Sequence, residues 1–404
     1  MKVKIGKSLA KGVAIAPASK SISHRMIIAA AMACGKSVIE GVSRCDDCIA
    51  TIGCLRALGA KIDLDGDELT VIGTDPTLAS ANGELYCKES GSTLRFLIPV
   101  ALLSGNEAKF TGAEKLLSRP HGIYEELCGE KGLFFSQGAD GIRVKGPLVS
   151  GDFTLPANVS SQFISGLLFA LPLLDGDSRI ILTTKIESRS YIELTLSAMR
   201  EFGVYAEWES ERVISVKGNQ AYVAKRTRVE GDWSGTAFLE AFNLFGSRVE
   251  VVGLNEGSIQ GDRVYREHFK ALESDGAVID ITDCPDLGPI LFAVAAAKRG
   301  ATFTGTRRLR IKESDRAAVM AKELAKFGAR VELFENSVRI YGGDLHSPNE
   351  ELYGHNDHRI VMSLALLCSL YGGVIEGAEA IGKSFGNYFE LVSSLGISVQ
   401  RLED

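Results

Sequence analysis

Several cations in this sequence stand at the start of apolar segments that have the length of helices. Lys20 and Arg25 lie in PASKSISHR, which runs into MIIAAAMA, while Arg316 precedes AAVMAKELAKFG and Arg359 precedes IVMSLALLCSL. The first turn of a helix presents unpaired backbone N–H groups and the positive end of the helix dipole, and both attract anions. The recurrence of this pattern predicts binding of small, multiply charged anions.

Further segments place small polar residues at predicted helix starts. Gly91, in ESGSTLR, would let a ligand approach the backbone, and Ser92 beside it can cap the helix. Each such segment is explained equally well, taken alone, as an ordinary helix cap without a ligand, so only their number favours a binding site. The others are Ser160-Ser161-Gln162, Ser188-Arg189-Ser190-Tyr191 and Ser118-Arg119-Pro120-His121.

Two carboxylates stand among the cations and could transfer protons. Glu313 lies between Lys312 and Arg316, which would share a helix face if the helix began early enough to include both. Asp286 lies in the turn PDLGP before an apolar helix, and Lys383 precedes the last predicted helix. A local ion-pair ladder would explain the residues around Glu313 without any chemistry. Taken together, the carboxylates and cations indicate acid–base catalysis on a polyanion, with no metal required.

Composition narrows the class of protein. Hydrophobic residues make up 45% and charged residues 24% of the 404 residues, which is typical of a folded protein of two or three domains. The net charge of −6 argues against a nucleic-acid-binding protein. No HExxH motif occurs. No run of 18 apolar residues occurs, so we expect a cytoplasmic protein without a membrane span.

The eight cysteines are scattered along the chain, and we expect reduced thiols. Only the cluster Cys45-Asp46-Asp47-Cys48, with Cys54 nearby, resembles part of a zinc site. A second pair of ligands at the usual spacing is missing, so no metal is predicted.

A helix–glycine–strand pattern recurs six times, for example in LRALGAKIDLDG. A glycine just past a helix end adopts the left-handed conformation without steric cost. Successive glycines are 73, 71, 73, 52 and 68 residues apart, which suits a small subdomain used six times better than a solenoid. Three copies lie before residue 229 and three after it, so we predict two similar α/β domains with a ligand cleft between them. The glycines are Gly59, Gly132, Gly203, Gly276, Gly328 and Gly396.

These segments, in this order, resemble the EPSP synthase family of enolpyruvyl transferases over nearly the whole chain. The motifs that carry the resemblance are KSxSxR, RP, SSQF, QGD, PD, KESDR, NDHR and KSF. The resemblance implies two domains, each of three β/α units arranged as an inside-out barrel. It also implies that the chain leaves the first domain and returns to it, so that residues 1–14 join 230–404 and residues 15–229 form the second domain.

The same resemblance implies an activity: transfer of the enolpyruvyl group of phosphoenolpyruvate to the 5-hydroxyl of shikimate 3-phosphate, in the shikimate pathway. It implies no cofactor, no partner other than these small molecules, and a monomer. Asp286 would take the hydroxyl proton, Glu313 would protonate the methylene carbon, and Lys20 would also be catalytic. Phosphoenolpyruvate would be bound by Lys20, Gly91, Arg119, Gln162, Arg316, Arg359 and Lys383. Shikimate 3-phosphate would be bound by Lys20, Ser21, Arg25, Ser160, Ser161, Gln162, Ser188, Tyr191, Asp286 and Lys312.

The sequence departs from the family pattern at three positions. Glu89 replaces a common Asn, Arg308 stands where an Asn often binds substrate, and Ser190 replaces a frequent Pro. These changes put the individual contacts in doubt. Gly91 is retained, and since a side chain there would crowd the glyphosate site, we predict inhibition by glyphosate.

Two alternatives stay open. A sister enzyme of the same fold uses UDP-N-acetylglucosamine as acceptor, but it carries a Lys-Asn pair near the N-terminus and a loop cysteine. Here KSISHR replaces the pair, and Cys128 lies in a helix-like context. The other alternative is a binding or scaffold protein that keeps the fold without catalysis, against which the retained carboxylates and cations argue.

Overall fold

The computed structural model describes residues 1–402 and divides the chain into two compact units. Unit 1 contains Met1–Pro17 together with the chain from Gly231 onward, and unit 2 contains Ala18–Glu230. The chain therefore begins in unit 1, builds the whole of unit 2, and returns.

Helices and strands alternate along the chain. The helices are α1 (Lys20–Ala31), α2 (Asp46–Ala57), α3 (Gly91–Ala101), α4 (Glu114–Leu117), α5 (Gly122–Glu130), α6 (Ser161–Ala170), α7 (Arg189–Glu201), α8 (Trp233–Glu240), α9 (Tyr265–Ala271), α10 (Gly288–Ala297), α11 (Arg316–Ala325), α12 (His358–Tyr371) and α13 (Tyr388–Ser394). The strands are β1 (Lys2–Ile5), β2 (Lys11–Ile15), β3 (Lys36–Glu40), β4 (Lys61–Asp65), β5 (Glu68–Ile72), β6 (Leu85–Tyr86), β7 (Glu107–Thr111), β8 (Phe134–Gly138), β9 (Gly141–Lys145), β10 (Asp152–Leu155), β11 (Ser178–Leu182), β12 (Ala206–Ser210), β13 (Val213–Val216), β14 (Arg226–Arg228), β15 (Arg248–Val252), β16 (Val278–Asp280), β17 (Gly300–Thr304), β18 (Arg330–Leu333), β19 (Ser337–Tyr341), β20 (Leu352–Tyr353), β21 (Gly373–Glu376) and β22 (Val399–Leu402).

One sheet design is repeated. In unit 2 three sheets have the orders β14-β3-β5-β4, β6-β7-β9-β8 and β10-β11-β13-β12, and in each the first pair is parallel and the others are antiparallel. In unit 1 the sheets β16-β17-β19-β18 and β20-β21-β1-β22 have the same design. The predicted repeat is thus a physical subdomain, and within residues 1–402 its sheets stay separate rather than joining into one barrel of strands.

The sixth sheet is shorter, a difference that the repeated sequence pattern does not predict. It contains only the parallel pair β15-β2. The strand after Gly276, β16, differs from the strands after the other five glycines, because it pairs in parallel with β17 as the first strand of the next sheet. The antiparallel hairpin is missing from this subdomain, which accounts for the short 52-residue interval that follows Gly276. All six glycines do have positive φ angles, between 67° and 106°, as predicted.

Apolar helices form the centre of each unit. In α10 every residue from Gly288 to Ala296 is buried, and α12 is buried from His358 to Ser369. A helix that is apolar on all sides must be packed against other elements on all sides. The sheets, each with one buried face, provide that packing. Because these helices pack side by side, α10 against α11 and α12 in unit 1 and α3 against α6 in unit 2, residues at their starts can meet. Within the described chain, no helix combines the length and apolar character needed to cross a bilayer.

Candidate active site

In unit 1 a single carboxylate contacts three cationic side chains. Asp286 lies in the short turn before α10, and its Oδ1 is 3.2 Å from Lys312 Nζ and 2.9 Å from Arg316 Nη1. Its other oxygen, Oδ2, accepts a hydrogen bond from Arg359 Nη2 at 3.0 Å. Three sequence-predicted cations, from the KESDR and NDHR segments, therefore converge on the predicted base.

Arg316 is the centre of this network. Its side chain is only 1% exposed, and it is also bound to Glu313 Oε2 at 2.6 Å through Nη2 and to Asp357 Oδ2 at 2.9 Å through Nε. Burial opposes its charge, but the carboxylates of Asp357, Glu313 and Asp286 outweigh burial and raise its pKa. The guanidinium is therefore a fixed cation that joins the predicted acid to the predicted base.

Arg359 and Lys383 lie around the start of α12. Asp357 caps that helix by accepting a hydrogen bond from Arg359 N at 3.0 Å, and Arg359 Nη1 donates to Ser234 Oγ at 2.6 Å. Lys383 Nζ donates to the carbonyl of Asn356 at 2.6 Å. The starts of α8, α11 and α12 and the turn before α10 thus meet at one place in unit 1, where their dipoles favour anions.

The same arrangement perturbs proton equilibria. Burial lowers the pKa of the Lys312 ammonium, with Arg308 and Arg316 adding to the shift while Asp286 opposes it. Burial raises the pKa of Asp262 to about 7, and the nearby charge of Asp286 adds to the rise. Perturbed groups gathered beside a cation cluster are typical of an active site.

A strained turn holds the start of α12 in place. His355 and Asn356 both have positive φ angles, 50° and 54°, which non-glycine residues adopt only when the surroundings hold them there. The His355 ring is 2.8 Å from Glu323 Oε1, and the fully buried Glu323 carboxylate is also 2.9 Å from Lys326 Nζ. Glu323 therefore stabilises the turn whose carbonyl binds Lys383.

In unit 2 the predicted catalytic lysine is paired with an aspartate. Lys20 is the first residue of α1, and its Nζ is 3.1 Å from Asp47 Oδ2 in the first turn of α2. Both side chains are largely buried, with 14% and 12% exposure. The Asp47 carbonyl in turn accepts hydrogen bonds from the hydroxyls of Thr51 and Thr93. Lys20 is thus held in place by the first turn of α2.

Gly91, Arg119 and Gln162 lie together in unit 2. A methyl group at Gly91 would come within 2.9 Å of Arg119 Nη1 and 3.6 Å of Gln162 Oε1. The Gln162 amide joins two helix starts, since it donates to Ser92 Oγ at 2.9 Å and accepts from Arg95 Nη1 at 2.8 Å. Among the side-chain contacts the structure describes, the Arg119 guanidinium has no hydrogen-bonded or ionic partner, which leaves it available to a ligand beside Gly91.

Arg25 is buried and holds two helices together. Its Nε donates to Thr195 Oγ1 at 2.8 Å, Nη1 to the Ser21 carbonyl at 2.8 Å, and Nη2 to the Tyr191 carbonyl at 2.9 Å. Its position next to Ser21 and Tyr191, two other predicted substrate contacts, is thus maintained by the protein itself. Ser188, one turn earlier, has a strained φ of 59°.

The remaining predicted contacts lie at the start of α6. Ser160 is its N-cap, with Oγ accepting from Gln162 N at 3.3 Å, and Ser161 is the first helical residue. These two serines and Gln162 therefore occupy one helix start in unit 2. Other predicted residues of this unit are Lys20, the group of Gly91 and Arg119, and the group of Arg25, Ser21 and Tyr191.

Two local predictions need correction. Lys312 and Arg316 do not share a helix face, because α11 begins only at Arg316; they meet at Asp286 instead. Ser90, not Ser92, caps α3, because its hydroxyl accepts from Thr93 N.

Sequence reasoning gave no role to several polar residues that organise the site. Arg95 lies within the apolar helix α3, and a charged residue there is a signal that could have been used. Asp357 was part of a recognised motif, yet its pairing with Arg316 depends on tertiary structure. The other residues without a predicted role are Asp47, Asp262 and Glu323.

Comparison with known proteins places the chain in a family. The family model described as EPSP synthase (3-phosphoshikimate 1-carboxyvinyltransferase) matches residues 3–392. A 3-phosphoshikimate 1-carboxyvinyltransferase of Clostridium kluyveri is 38% identical over 420 residues, covering 98% of this chain and 97% of the relative. The enzyme of the same name from Clostridium perfringens is 37% identical over 417 residues and covers 98% of each chain.

A solved structure has the same fold. EPSP synthase from Acinetobacter baumannii superposes with a TM-score of 0.81 over 99% of both chains, at 23% sequence identity. The predicted α/β fold class is thereby confirmed. On the family model and the identity to its curated relatives, the chain belongs to the EPSP synthase (3-phosphoshikimate 1-carboxyvinyltransferase) family.

Proposed function

We propose that this protein transfers the enolpyruvyl group of phosphoenolpyruvate to the 5-hydroxyl of shikimate 3-phosphate and releases phosphate. The observation that carries the proposal is the network in which Arg316 binds both Glu313 and Asp286. A proton donor and a proton acceptor joined by a buried cation are what the addition and elimination of a phosphorylated enol require.

Phosphoenolpyruvate carries a carboxylate and a phosphate, and the proposed contacts suit both. Arginine binds such groups with two parallel hydrogen bonds, and lysine adds a mobile charge. The contacts in unit 1 are Arg316, Arg359 and Lys383, and those in unit 2 are Lys20, Gly91, Arg119 and Gln162.

Shikimate 3-phosphate presents a phosphate, a carboxylate and hydroxyls. Hydroxyl groups and amides at helix starts bind such a ligand without introducing further charge. The proposed contacts are Lys20, Ser21, Arg25, Ser160, Ser161, Gln162, Ser188 and Tyr191 in unit 2, with Asp286 and Lys312 in unit 1.

The reaction proceeds by addition followed by elimination. Glu313 protonates the methylene carbon of phosphoenolpyruvate, and positive charge develops at C2. Asp286 takes the proton of the 5-hydroxyl as its oxygen bonds to C2, which gives a tetrahedral ketal phosphate. The methyl group then returns a proton to Glu313, the C–O bond to phosphate breaks, and the enol ether remains. The cations around Asp286 stabilise the phosphate as it leaves.

Charge balance explains how a carboxylate surrounded by cations can act as a base. Asp286 contacts Lys312, Arg316 and Arg359, which all favour its ionised form. When the anionic groups of phosphoenolpyruvate bind the same arginines, their negative charge offsets the cations and raises the proton affinity of both nearby carboxylates. The substrate thus prepares Asp286 and Glu313 for proton transfer.

A UDP-sugar acceptor is the alternative within the same fold. That enzyme needs a reactive cysteine on a loop, whereas Cys128 lies in α5, and burial raises the pKa of its thiol to about 11. This observation favours the shikimate substrate. The cytoplasmic location and the monomeric state stay predictions.

Phosphate release by the purified protein tests the proposal. Phosphoenolpyruvate is supplied with shikimate 3-phosphate, with UDP-N-acetylglucosamine, or alone. We expect release only with shikimate 3-phosphate, and its loss in Lys20→Ala but not in Lys61→Ala, a matched change on the exposed face of β4. Release only with the UDP-sugar would overturn the substrate, and release with neither would favour the scaffold alternative.

A further inference from the structure

Two cysteines of the CxxC type lie at the start of α2. Cys45 is the residue immediately before the helix, and Cys48 lies in its first turn. Cys45 is the N-cap and Cys48 the third helical residue, two positions whose side chains meet across the first turn of a helix. Cys48 is fully buried, whereas Cys45 keeps 5% of its surface exposed. The two residues thus form a candidate dithiol in which Cys45 is the less buried member.

The two sulfurs are chemically different. The neighbouring Cys48 thiol lowers the pKa of the Cys45 thiol, and the positive charge of Lys20 adds to this effect, although burial and Asp47 oppose it. Burial raises the pKa of Cys48, and the nearby Cys45 raises it further. A helix start also favours a thiolate. Cys45 is therefore suited to attack, and Cys48 remains a neutral thiol.

The dithiol belongs to the turn that holds Lys20. Asp47, between the two cysteines, is the residue whose carboxylate lies 3.1 Å from Lys20 Nζ. Cys48 Sγ is 4.0 Å from the Lys20 carbonyl. Any covalent change between Cys45 and Cys48 must therefore act on a turn that positions Lys20.

We propose that Cys45 and Cys48 form a redox site that reacts with small hydroperoxides and, as a disulfide, displaces Lys20 and lowers enzyme activity. The Cys45 thiolate attacks one peroxide oxygen, the O–O bond breaks, and hydroxide leaves to become water. Cys48 sulfur then attacks the resulting sulfenic acid and releases a second water. Two thiols are oxidised to one disulfide while one hydrogen peroxide is reduced to two waters. A thiol reductant reverses the change.

A second cysteine pair in the same unit provides an internal comparison. Cys54 Sγ and Cys87 Sγ are 3.9 Å apart, but both residues are buried at 1% exposure or less. Burial raises the pKa of Cys87, which disfavours its reactive thiolate. We expect this pair to resist peroxide under conditions that oxidise Cys45.

Peptide mapping distinguishes the two pairs. Trypsin would release CDDCIATIGCLR, which contains Cys45, Cys48 and Cys54, whereas Cys87 lies in a different peptide. The reduced protein, carrying Cys34→Ser to remove the exposed thiol, is treated with hydrogen peroxide, quenched with catalase and alkylated. We expect this peptide to lose two hydrogens and to carry one alkyl group, on Cys54. In Cys48→Ser we expect a sulfenic acid on Cys45 that dimedone traps, and in Cys45→Ser neither product.

Activity is measured on the same samples. This part rests on the proposed role of Lys20, and we expect oxidation to lower kcat/KM about tenfold or more, with recovery in dithiothreitol. A disulfide that leaves the activity unchanged would overturn the effect on Lys20. An intact dithiol, or a Cys54–Cys87 cross-link instead, would overturn the site. A reduced protein with no activity would count against the proposed function, while the peptide map would still report on the dithiol.

Discussion

Asp357 offers a sharp test of the network in unit 1. Its fully buried carboxylate accepts hydrogen bonds from Ser314 Oγ at 3.0 Å, from Arg316 Nε at 2.9 Å and Nη2 at 3.3 Å, and from Arg359 N at 3.0 Å. We therefore change it in two ways. Asp357→Asn removes the charge but keeps an oxygen that can cap α12, and Asp357→Ala removes both.

The structure gives the expected order of the two effects. Removing one partner of a buried ion pair costs about 3–5 kcal/mol, and we expect the low end, about 3 kcal/mol, for Asp357→Asn because Arg316 keeps Asp286 and Glu313. Loss of the cap adds about 1 kcal/mol in Asp357→Ala. Since Arg316 and Arg359 both lose orientation, the KM for phosphoenolpyruvate should rise in each variant.

Fluorescence can report on unit 1 alone. The chain has two tryptophans, Trp208 in unit 2 and the buried Trp233 in unit 1, so Trp208→Phe leaves a single reporter. Urea unfolding is followed in that background, with the exposed Asp344→Asn as control, expected within about 0.5 kcal/mol of the parent. An Asp357→Asn protein as stable as its parent, or an Ala variant no less stable than the Asn variant, would refute the reasoning.

Three other changes test separate parts of the site. Gly91→Ala should displace Arg119, since the new methyl would lie 2.9 Å from Arg119 Nη1. We expect about a tenfold higher KM for phosphoenolpyruvate and loss of the predicted inhibition by glyphosate. Both are read from steady-state rates. Glu323→Gln should weaken the His355–Asn356 turn that binds Lys383. The KM for phosphoenolpyruvate should therefore rise by a larger factor than kcat falls. Equal changes in KM and kcat would mean a general loss of structure. Asp262, with its pKa raised to about 7 from 3.8, binds its proton more tightly in the folded state than in the unfolded state. The stability of unit 1 should therefore fall as the pH rises from about 4 to about 7. Urea titrations at several pH values measure this fall, and Asp262→Asn should remove it.

The repeated architecture could be predicted because it depends on local signals. A glycine after a helix must adopt positive φ to end it, and that requirement is visible in the sequence at Gly59 as at Gly396. The same signal does not say which sheet the next strand joins. This is why neither the pairing of the strand after Gly276 nor the missing hairpin could be predicted from the sequence.

The site was predictable where charge and helix starts coincide, and not where tertiary structure brings residues together. Lys312 and Arg316 were expected on one helix face, but both reach Asp286 from a segment that is not helical at Lys312. Glu323 lies three residues after the buried Met320, but a charged residue at that position gives no sign of its partners, and only the packed structure shows that it is fully buried against His355. A sequence pattern cannot distinguish a carboxylate in solvent from one buried against a lysine and a histidine.

Deuterium exchange most directly tests the proposed role of Glu313, which protonates the methylene carbon and later takes a proton back. The protein, phosphoenolpyruvate and shikimate 3-phosphate are incubated in deuterium oxide, and the vinyl positions of product and recovered substrate are examined by NMR. Because the methylene carbon becomes a methyl group before elimination, we predict deuterium at those positions, and its strong loss in Glu313→Gln. Product formed with no deuterium in the vinyl group would contradict the addition–elimination account, and exchange that continues unchanged in Glu313→Gln would contradict the role of Glu313.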